Sequence, residues 1–224
     1  MFGRQKIAVL VAEFVSTTTL AMVALSMVGR TNFPLFLALA SGLTVGLMGY
    51  LFGSHTNPVI TLGLWTMRKV QTAEAAVRVA VQMLGGVAAW QLSEYLVNND
   101  LKNIAGDAFD WRIVVAEALG AFVLGMGVAA AVSRGYEASR VAVATGAAWA
   151  IGVLVASMAS NGLLNPAVAV GVQSWSWAYA IGPILGGVVG MSLYGLLFTE
   201  PVVVKAAATR RKAVVKKAAP RKRK

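Results

Sequence analysis

The chain has 224 residues, of which 58% are hydrophobic and only 13% are charged, and its mean hydropathy is +0.69. A soluble domain carries roughly a quarter of its residues as charged side chains, so the composition predicts a membrane protein with no room for a soluble catalytic domain. The lack of cysteine and the single histidine exclude disulfides, thiolate chemistry and a metal-ligand cluster of ordinary spacing. We therefore expect no enzyme activity, no cofactor and no metal site.

Six apolar segments are long enough to cross a bilayer, which takes about 20 residues of helix. The first, residues 7–28, is longer than the apolar region of a signal peptide, and we interpret it as a retained span. The other five are residues 34–53, 74–97, 112–133, 140–159 and 178–198. Two further apolar pieces, residues 57–67 and 165–174, are too short to span, and both begin with Asn-Pro.

The distribution of Lys and Arg predicts which side of the membrane each connection faces, because cytoplasmic loops are enriched in these residues. With six spans, most of the basic residues fall on the same side as the two termini: Arg4, Lys6, Arg68, Lys69, Arg134 and Arg140. Arg30 and Lys102 fall on the other side. We expect an integral multi-pass protein with both termini in the cytoplasm, and the compact connections favour a prokaryotic inner membrane.

The chain contains two similar halves, about residues 7–97 and 112–198. AEFVSTTTL at residues 12–20 resembles AEALGAFVL at residues 116–124, and each half has one Asn-Pro piece at an equivalent place. Three spans per half is an odd number, so the halves enter the membrane from opposite sides as an inverted repeat. Short interrupted segments at matching places in such halves indicate a permeation or binding site.

Each Asn-Pro pair predicts the start of a helix, since Asn is a preferred N-cap and Pro a preferred first residue. Two such half-helices, entering from opposite faces, would meet N-terminus to N-terminus near the middle of the membrane. Their positive dipole ends would converge and repel cations. A neutral solute could still accept hydrogen bonds from the two Asn side chains.

Several motifs together resemble the aquaporin family, also called the major intrinsic proteins. GSHTNPVITLG (residues 53–63) and NGLLNPAVAVG (residues 161–171) look like its two signature loops, and VQMLGG (81–86) and WAYAIGP (177–183) add to the likeness. The resemblance extends over residues 7 to about 198. It implies an all-α membrane fold of six transmembrane helices and two re-entrant half-helices, assembled as a homotetramer with one pore per subunit.

The resemblance also implies roles for the signature residues. Asn57 and Asn165 would face the middle of the pore and donate from their side-chain amides. Pro58 and Pro166 would stack where the half-helices abut.

Three further residues have implied bracing roles. Glu13 and Glu117 match buried carboxylates of the family that accept hydrogen bonds from the signature-loop backbone, and free loop amides offset the cost of a carboxylate in the membrane. The alternative, a proton relay, lacks further acids or histidines between the two. We interpret His55 as a loop-bracing side chain.

Two positions depart from the family pattern. Val59 stands where the first signature normally has Ala, and this larger, β-branched side chain is expected to narrow or reshape the midplane contact. The second signature is intact through Ala167, but Val168 follows where the family normally has an arginine. That arginine forms the outer constriction, offers donors to solutes and repels cations, and a valine can do neither.

The family spacing places three more residues at this constriction. The predicted ring is Leu37, Val153, Gly162 and Val168, which together carry no charge and no side-chain donor. Such a ring is expected to be wider and more apolar than that of a strict water channel. We hypothesise a permissive pore for water and small uncharged solutes such as glycerol, ammonia or hydrogen peroxide, with ions excluded by the opposed half-helix dipoles.

Residues 200–224 form a basic tail that is separate from the channel domain, residues 1–199. The tail holds ten Lys and Arg and one acidic residue, and its composition predicts disorder. It is interpreted as a solvated cytoplasmic run that reinforces topology, or as a segment that binds anionic lipid. Binding to nucleic acid is disfavoured, because no aromatic residues are interleaved for base stacking.

The function that these features predict is a passive channel. The alternative is a poorly conducting membrane scaffold whose basic tail binds anionic lipid or nucleic acid, and the altered residues Val59 and Val168 motivate it. A flux measurement would separate the two.

Overall fold

The computed structural model describes residues 3–27, 34–106 and 109–199, and the predicted basic tail lies outside them. Eight α-helices occur in these residues: α1 Arg4–Met27, α2 Pro34–Phe52, α3 Pro58–Thr66, α4 Thr72–Val97, α5 Trp111–Ser133, α6 Ala138–Ala156, α7 Pro166–Gly171 and α8 Trp177–Phe198. Helices α1, α2, α4, α5, α6 and α8 are long and apolar enough to cross a membrane. They coincide with the six predicted spans, and α3 and α7 are the two short pieces.

The half-helices α3 and α7 begin in the same way. Asn57 Oδ1 accepts a hydrogen bond from the Val59 amide at 2.8 Å, and Asn165 Oδ1 accepts one from the Ala167 amide at 2.9 Å. Each Asn is followed by a proline at the first helical position. Proline has no backbone N–H, and an N–H at that position would have no partner within the helix. The Asn-Pro pairs therefore start the helices, as the sequence predicts.

The half-helices also end in the same way. Arg68 follows α3 with a φ of 57°, and Gln173 follows α7 with a φ of 56°. A left-handed residue at this place reverses the chain and lets later amides reach the last carbonyls of the helix. For this reason α7 stops at Gly171, short of the predicted limit at residue 174.

Each half-helix packs against a spanning helix of the opposite half of the chain. Helix α7 contacts α4, and α3 contacts α8. A methyl group added at Gly86 of α4 would overlap the Ala167 carbonyl, and one added at Gly187 of α8 would overlap Val59 Cγ1. These two glycines let both half-helices approach the bundle closely, as small residues do in membrane helix packing.

Candidate pore site

The N-termini of the two half-helices are joined by a reciprocal pair of hydrogen bonds. Asn57 Nδ2 donates to the Leu164 carbonyl at 3.0 Å, and Asn165 Nδ2 donates to the Thr56 carbonyl at 2.9 Å. All four residues are fully buried. A carboxamide nitrogen carries two N–H donors, so these bonds use one donor of each Asn.

Thr56 and Leu164, the residues directly before the two Asn-Pro pairs, adopt the left-handed backbone conformation. Their φ angles are 62° and 53°, and such a conformation costs about 1–3 kcal/mol at a residue other than glycine. In both residues the backbone N–H and the backbone carbonyl are each hydrogen-bonded to a side chain. The N–H donates to a glutamate of the same half of the chain, and the carbonyl accepts from the Asn of the other half.

Glu13 of α1 holds the first signature loop. Its two carboxylate oxygens accept from the backbone amides of His55 and Thr56, each at 2.9 Å. They also accept from Arg78 Nη1 at 2.7 Å and from Gln82 Nε2 at 2.8 Å, both on α4. The carboxylate is fully buried, and this set of four donors replaces the water that it would otherwise bind.

Glu117 of α5 holds the second signature loop with a smaller set of donors. It accepts from the Leu163 amide at 2.9 Å, from the Leu164 amide at 2.6 Å and from Ser160 Oγ at 2.8 Å. It is also fully buried. Neither of the two ion pairs in the described part of the chain includes it.

His55 lines a cavity of the helix bundle, together with Ser54 of the same loop. Its Nδ1 is 3.0 Å from Thr61 Oγ1, and Thr61 is also bonded to Gln82 of α4. The cavity has a volume of about 250 Å³ and is bounded by α2, α3, α5 and α6. Ser54, His55 and Thr145 line it beside mainly apolar side chains.

The four residues of the predicted constriction lie apart from this cavity. Leu37, Val153 and Val168 belong to one buried apolar cluster, with exposed fractions of 9%, 0% and 2%. Gly162 has a φ of 63°, and a Cβ built on it would lie 3.3 Å from Val153 Cγ1, so these two residues are neighbours. None of the four residues carries a charge or a side-chain hydrogen-bond donor.

Val59 lies against α8. Its Cγ1 fills the space that a Cβ at Gly187 would occupy, and the side chain is fully buried. The bulk that distinguishes valine from alanine is therefore accommodated by the glycine of the neighbouring helix. Ala167, at the equivalent place in the second half, is packed against Gly86 by its backbone carbonyl.

Sequence reasoning did not assign Arg78, Gln82, Thr56 or Leu164 to the site. A signal existed for Arg78, since a charged residue within a predicted span is a marker of function. Gln82 lies one helical turn further on, within the quoted VQMLGG motif. Thr56 and Leu164 contribute only backbone atoms, and their side-chain types carry no such signal.

These features define a class of membrane channel: spanning helices around two opposed half-helices that meet at a pair of asparagines. The model of the family described as "Major intrinsic protein" matches residues 4–194. The chain therefore belongs to the major intrinsic protein family, whose members are passive channels for water and small solutes, and it is such a channel. The alternative of a poorly conducting scaffold is not favoured.

Individual relatives agree with this assignment. The chain is 27% identical to Aquaporin Z of Photorhabdus laumondii over 190 residues, covering 73% of this chain and 82% of that protein. It is 28% identical to Aquaporin-2 of Homo sapiens over 214 residues, covering 85% and 78%. Its fold is similar to the X-ray structure of the aquaglyceroporin from Plasmodium falciparum, with a TM-score of 0.66 and 16% identity over 86% of this chain and 96% of that chain.

Proposed function

We propose that this channel conducts water and small uncharged solutes such as glycerol, ammonia and hydrogen peroxide, along a path that passes Asn57 and Asn165. The observation that carries this proposal is the apolar side chain of Val168, which lies in the first turn of α7, the helix that Asn165 caps. Together with Leu37, Val153 and Gly162 it offers a passing solute neither a charge nor a side-chain hydrogen bond.

The proposed selectivity follows from the cost of removing water from the solute at this apolar ring. A neutral molecule loses a few hydrogen bonds there and recovers some of them at the second N–H of each Asn. A buried ion loses far more hydration free energy, and nothing in an apolar ring replaces it. The positive ends of α3 and α7 add a repulsion for cations, and we propose that these two effects exclude ions.

Glu13, Glu117 and His55 are proposed to brace the two loops without binding solute. Glu13 and Glu117 accept hydrogen bonds from loop amides and from neighbouring side chains, and His55 Nδ1 lies 3.0 Å from Thr61 Oγ1. A carboxylate that already accepts several hydrogen bonds is a poor proton carrier, which supports bracing over a proton relay. Pro58 and Pro166, both buried at the first position of their helices, are proposed to fill the contact between the half-helices.

The setting that we propose is the inner membrane of a prokaryote, with a homotetramer of pores and both termini in the cytoplasm. The bias of Lys and Arg in the connections supports the orientation. Many apolar side chains on the outside of the bundle, such as Leu43, Leu84 and Leu119, are half or more exposed and suit contact with lipid or another subunit. We propose that the tail, residues 200–224, binds anionic lipid headgroups.

Stopped-flow permeability of proteoliposomes tests the proposed function. We expect the wild-type protein to conduct water and glycerol faster than empty liposomes, and Val168→Arg to reduce glycerol flux at least roughly tenfold more than water flux. The matched control, Val168→Ala, keeps the site apolar and should preserve the ratio of the two fluxes. Wild-type flux at the level of empty liposomes for every solute would refute the proposed solutes, and an unchanged ratio in Val168→Arg would refute the proposed filter.

A further inference from the structure

Arg78 is a buried cation that the proposed solute path does not use. It lies on α4 with 9% of its surface exposed, and its Nη1 donates to Glu13 at 2.7 Å. Its Nε and Nη2 donate to Glu74 Oε1 at 2.9 and 2.6 Å. The Glu74 side chain is 46% exposed, so this chain of charges runs from the surface of the bundle to the buried carboxylate of Glu13.

The second half of the molecule has a neutral residue at the equivalent place. Gly86 of α4 packs against one half-helix and Gly187 of α8 packs against the other. Arg78 lies eight residues before Gly86, and Tyr179 lies eight residues before Gly187. The Tyr179 hydroxyl accepts a hydrogen bond from the Asn161 amide at 3.0 Å and so contacts the second loop directly. Arg78 reaches the first loop only through Glu13.

The physical consequence is a difference in how the two loops depend on charge. Glu13 is fully buried and forms a direct ion pair with Arg78, whereas the donors to Glu117 among the residues that the structure describes are all neutral. Removing one partner of a buried ion pair is strongly destabilising, because it leaves the other charge without compensation. The hold of Glu13 on the His55 and Thr56 amides therefore depends on Arg78.

We propose that Arg78 is a positioning residue of the pore. By neutralising Glu13 it keeps residues 53–57 in place, and it thereby sets Asn57 and, through the Thr56 carbonyl, the Asn165 side chain. This inference rests on the proposed solute path past the two asparagines. The three guanidinium nitrogens of Arg78 donate to Glu13 and Glu74, so in this proposal it acts on conduction through the loop and not by touching solute.

Hydrogen exchange of the full-length protein in proteoliposomes, read by mass spectrometry, tests the proposal at each loop separately. We expect Arg78→Met, which keeps an unbranched side chain as far as the position of Nε and removes the guanidinium charge, to speed exchange in peptides covering residues 53–57 by roughly tenfold. Peptides covering residues 161–165 are the internal control and should change much less, because Glu117 still accepts from the Leu163 and Leu164 amides. Arg78→Lys should restore most of the protection, and Glu74→Gln should change little because Glu74 is half exposed.

Water flux through the same samples, normalised to folded protein, should fall several-fold in Arg78→Met and recover in Arg78→Lys. Equal loosening of both loops, or unchanged exchange at residues 53–57, would overturn the proposal. If Arg78→Met gives no folded protein, Arg78→Lys decides: faster exchange confined to residues 53–57 supports the proposal, and faster exchange at both loops or at neither overturns it. Hydrogen exchange does not depend on conduction. If the wild-type protein shows no flux, the proposed function is refuted, but the exchange measurement still tests the role of Arg78.

Discussion

The two signature loops reach the same geometry with different chemistry. Each presents two backbone amides to a buried glutamate and one carbonyl to the asparagine of the other loop. The first glutamate is paired with an arginine and a glutamine, while the second is supported by a serine hydroxyl. The fold therefore dictates which backbone donors must be satisfied, while the side chains that support the accepting carboxylate differ between the halves.

The largest effect is expected from removing the glutamates themselves. Glu117→Ala leaves the Leu163 and Leu164 amides without acceptors, and each unpaired buried donor costs about 1–3 kcal/mol. Glu13→Ala leaves two amides as well, and it also leaves Arg78 without its buried partner. We therefore expect Glu13→Ala to lower the thermal unfolding midpoint more than Glu117→Ala, measured by tryptophan fluorescence in detergent.

Both variants should also lose most of their water flux, since each loop positions one carbonyl for the opposite asparagine. An equal or smaller loss of stability in Glu13→Ala would show that the ion pair of the first loop contributes no more than the serine of the second.

A smaller effect is expected from the two packing glycines. Overpacking typically costs about 1–3 kcal/mol. In Gly86→Ala the new methyl group meets a backbone carbonyl, which cannot move without shifting α7. In Gly187→Ala it meets the Val59 side chain, which can be shortened. We expect the double variant Val59→Ala/Gly187→Ala to recover the unfolding midpoint that Gly187→Ala loses.

Gly86→Ala should not be rescued by Val59→Ala, which makes it the matched control for that measurement. A failure of Val59→Ala to rescue Gly187→Ala would contradict the packing of valine into the space over this glycine.

The smallest effect is expected from Tyr179→Phe. This change removes the acceptor of the Asn161 amide and no charge, so a loss of about 0.5–1.5 kcal/mol follows from one hydrogen bond. Water flux should stay within about twofold of the wild type, since Glu117 still holds the second loop. Tyr95→Phe, at a position that is 82% exposed, is the control for the loss of a phenol hydroxyl.

If Tyr179→Phe lowers the unfolding midpoint and the water flux as much as Arg78→Met does, the charged support of the first loop is no more important than the neutral support of the second. Thermal unfolding and flux of the two variants in the same lipid would show it.

Much of the fold could be predicted from the sequence because its signals are local. A span of apolar residues must form a helix in lipid, since every backbone group needs an internal partner there. The N-cap of Asn57 and Asn165 involves atoms only two residues away. These short-range rules predicted the spans and the starts of α3 and α7, but they placed the end of α7 too late, because its reversal depends on the backbone of Gln173.

The site was only partly predictable. The assignment of Leu37, Val153, Gly162 and Val168 to a constriction came from family spacing, and it stays a prediction. The contacts that distinguish the halves join helices far apart in the chain: Arg78 meets Glu13 only because α4 packs on α1, and Val59 meets Gly187 only because α3 packs on α8. The charge and size of these residues are known from the sequence, but the helix that each residue contacts is not.

The sequence by itself thus determined the membrane setting, the six spans and the two capped half-helices, because hydropathy and capping act within one segment. Only the packing of the helices shows that each asparagine donates to the loop of the other half, and that within residues 3–27, 34–106 and 109–199 Glu13 is paired with a cation and Glu117 is not. The physical reason is that hydrogen bonding and charge compensation in a buried site depend on distances of about 3 Å between groups. Only the packing of the whole bundle sets those distances.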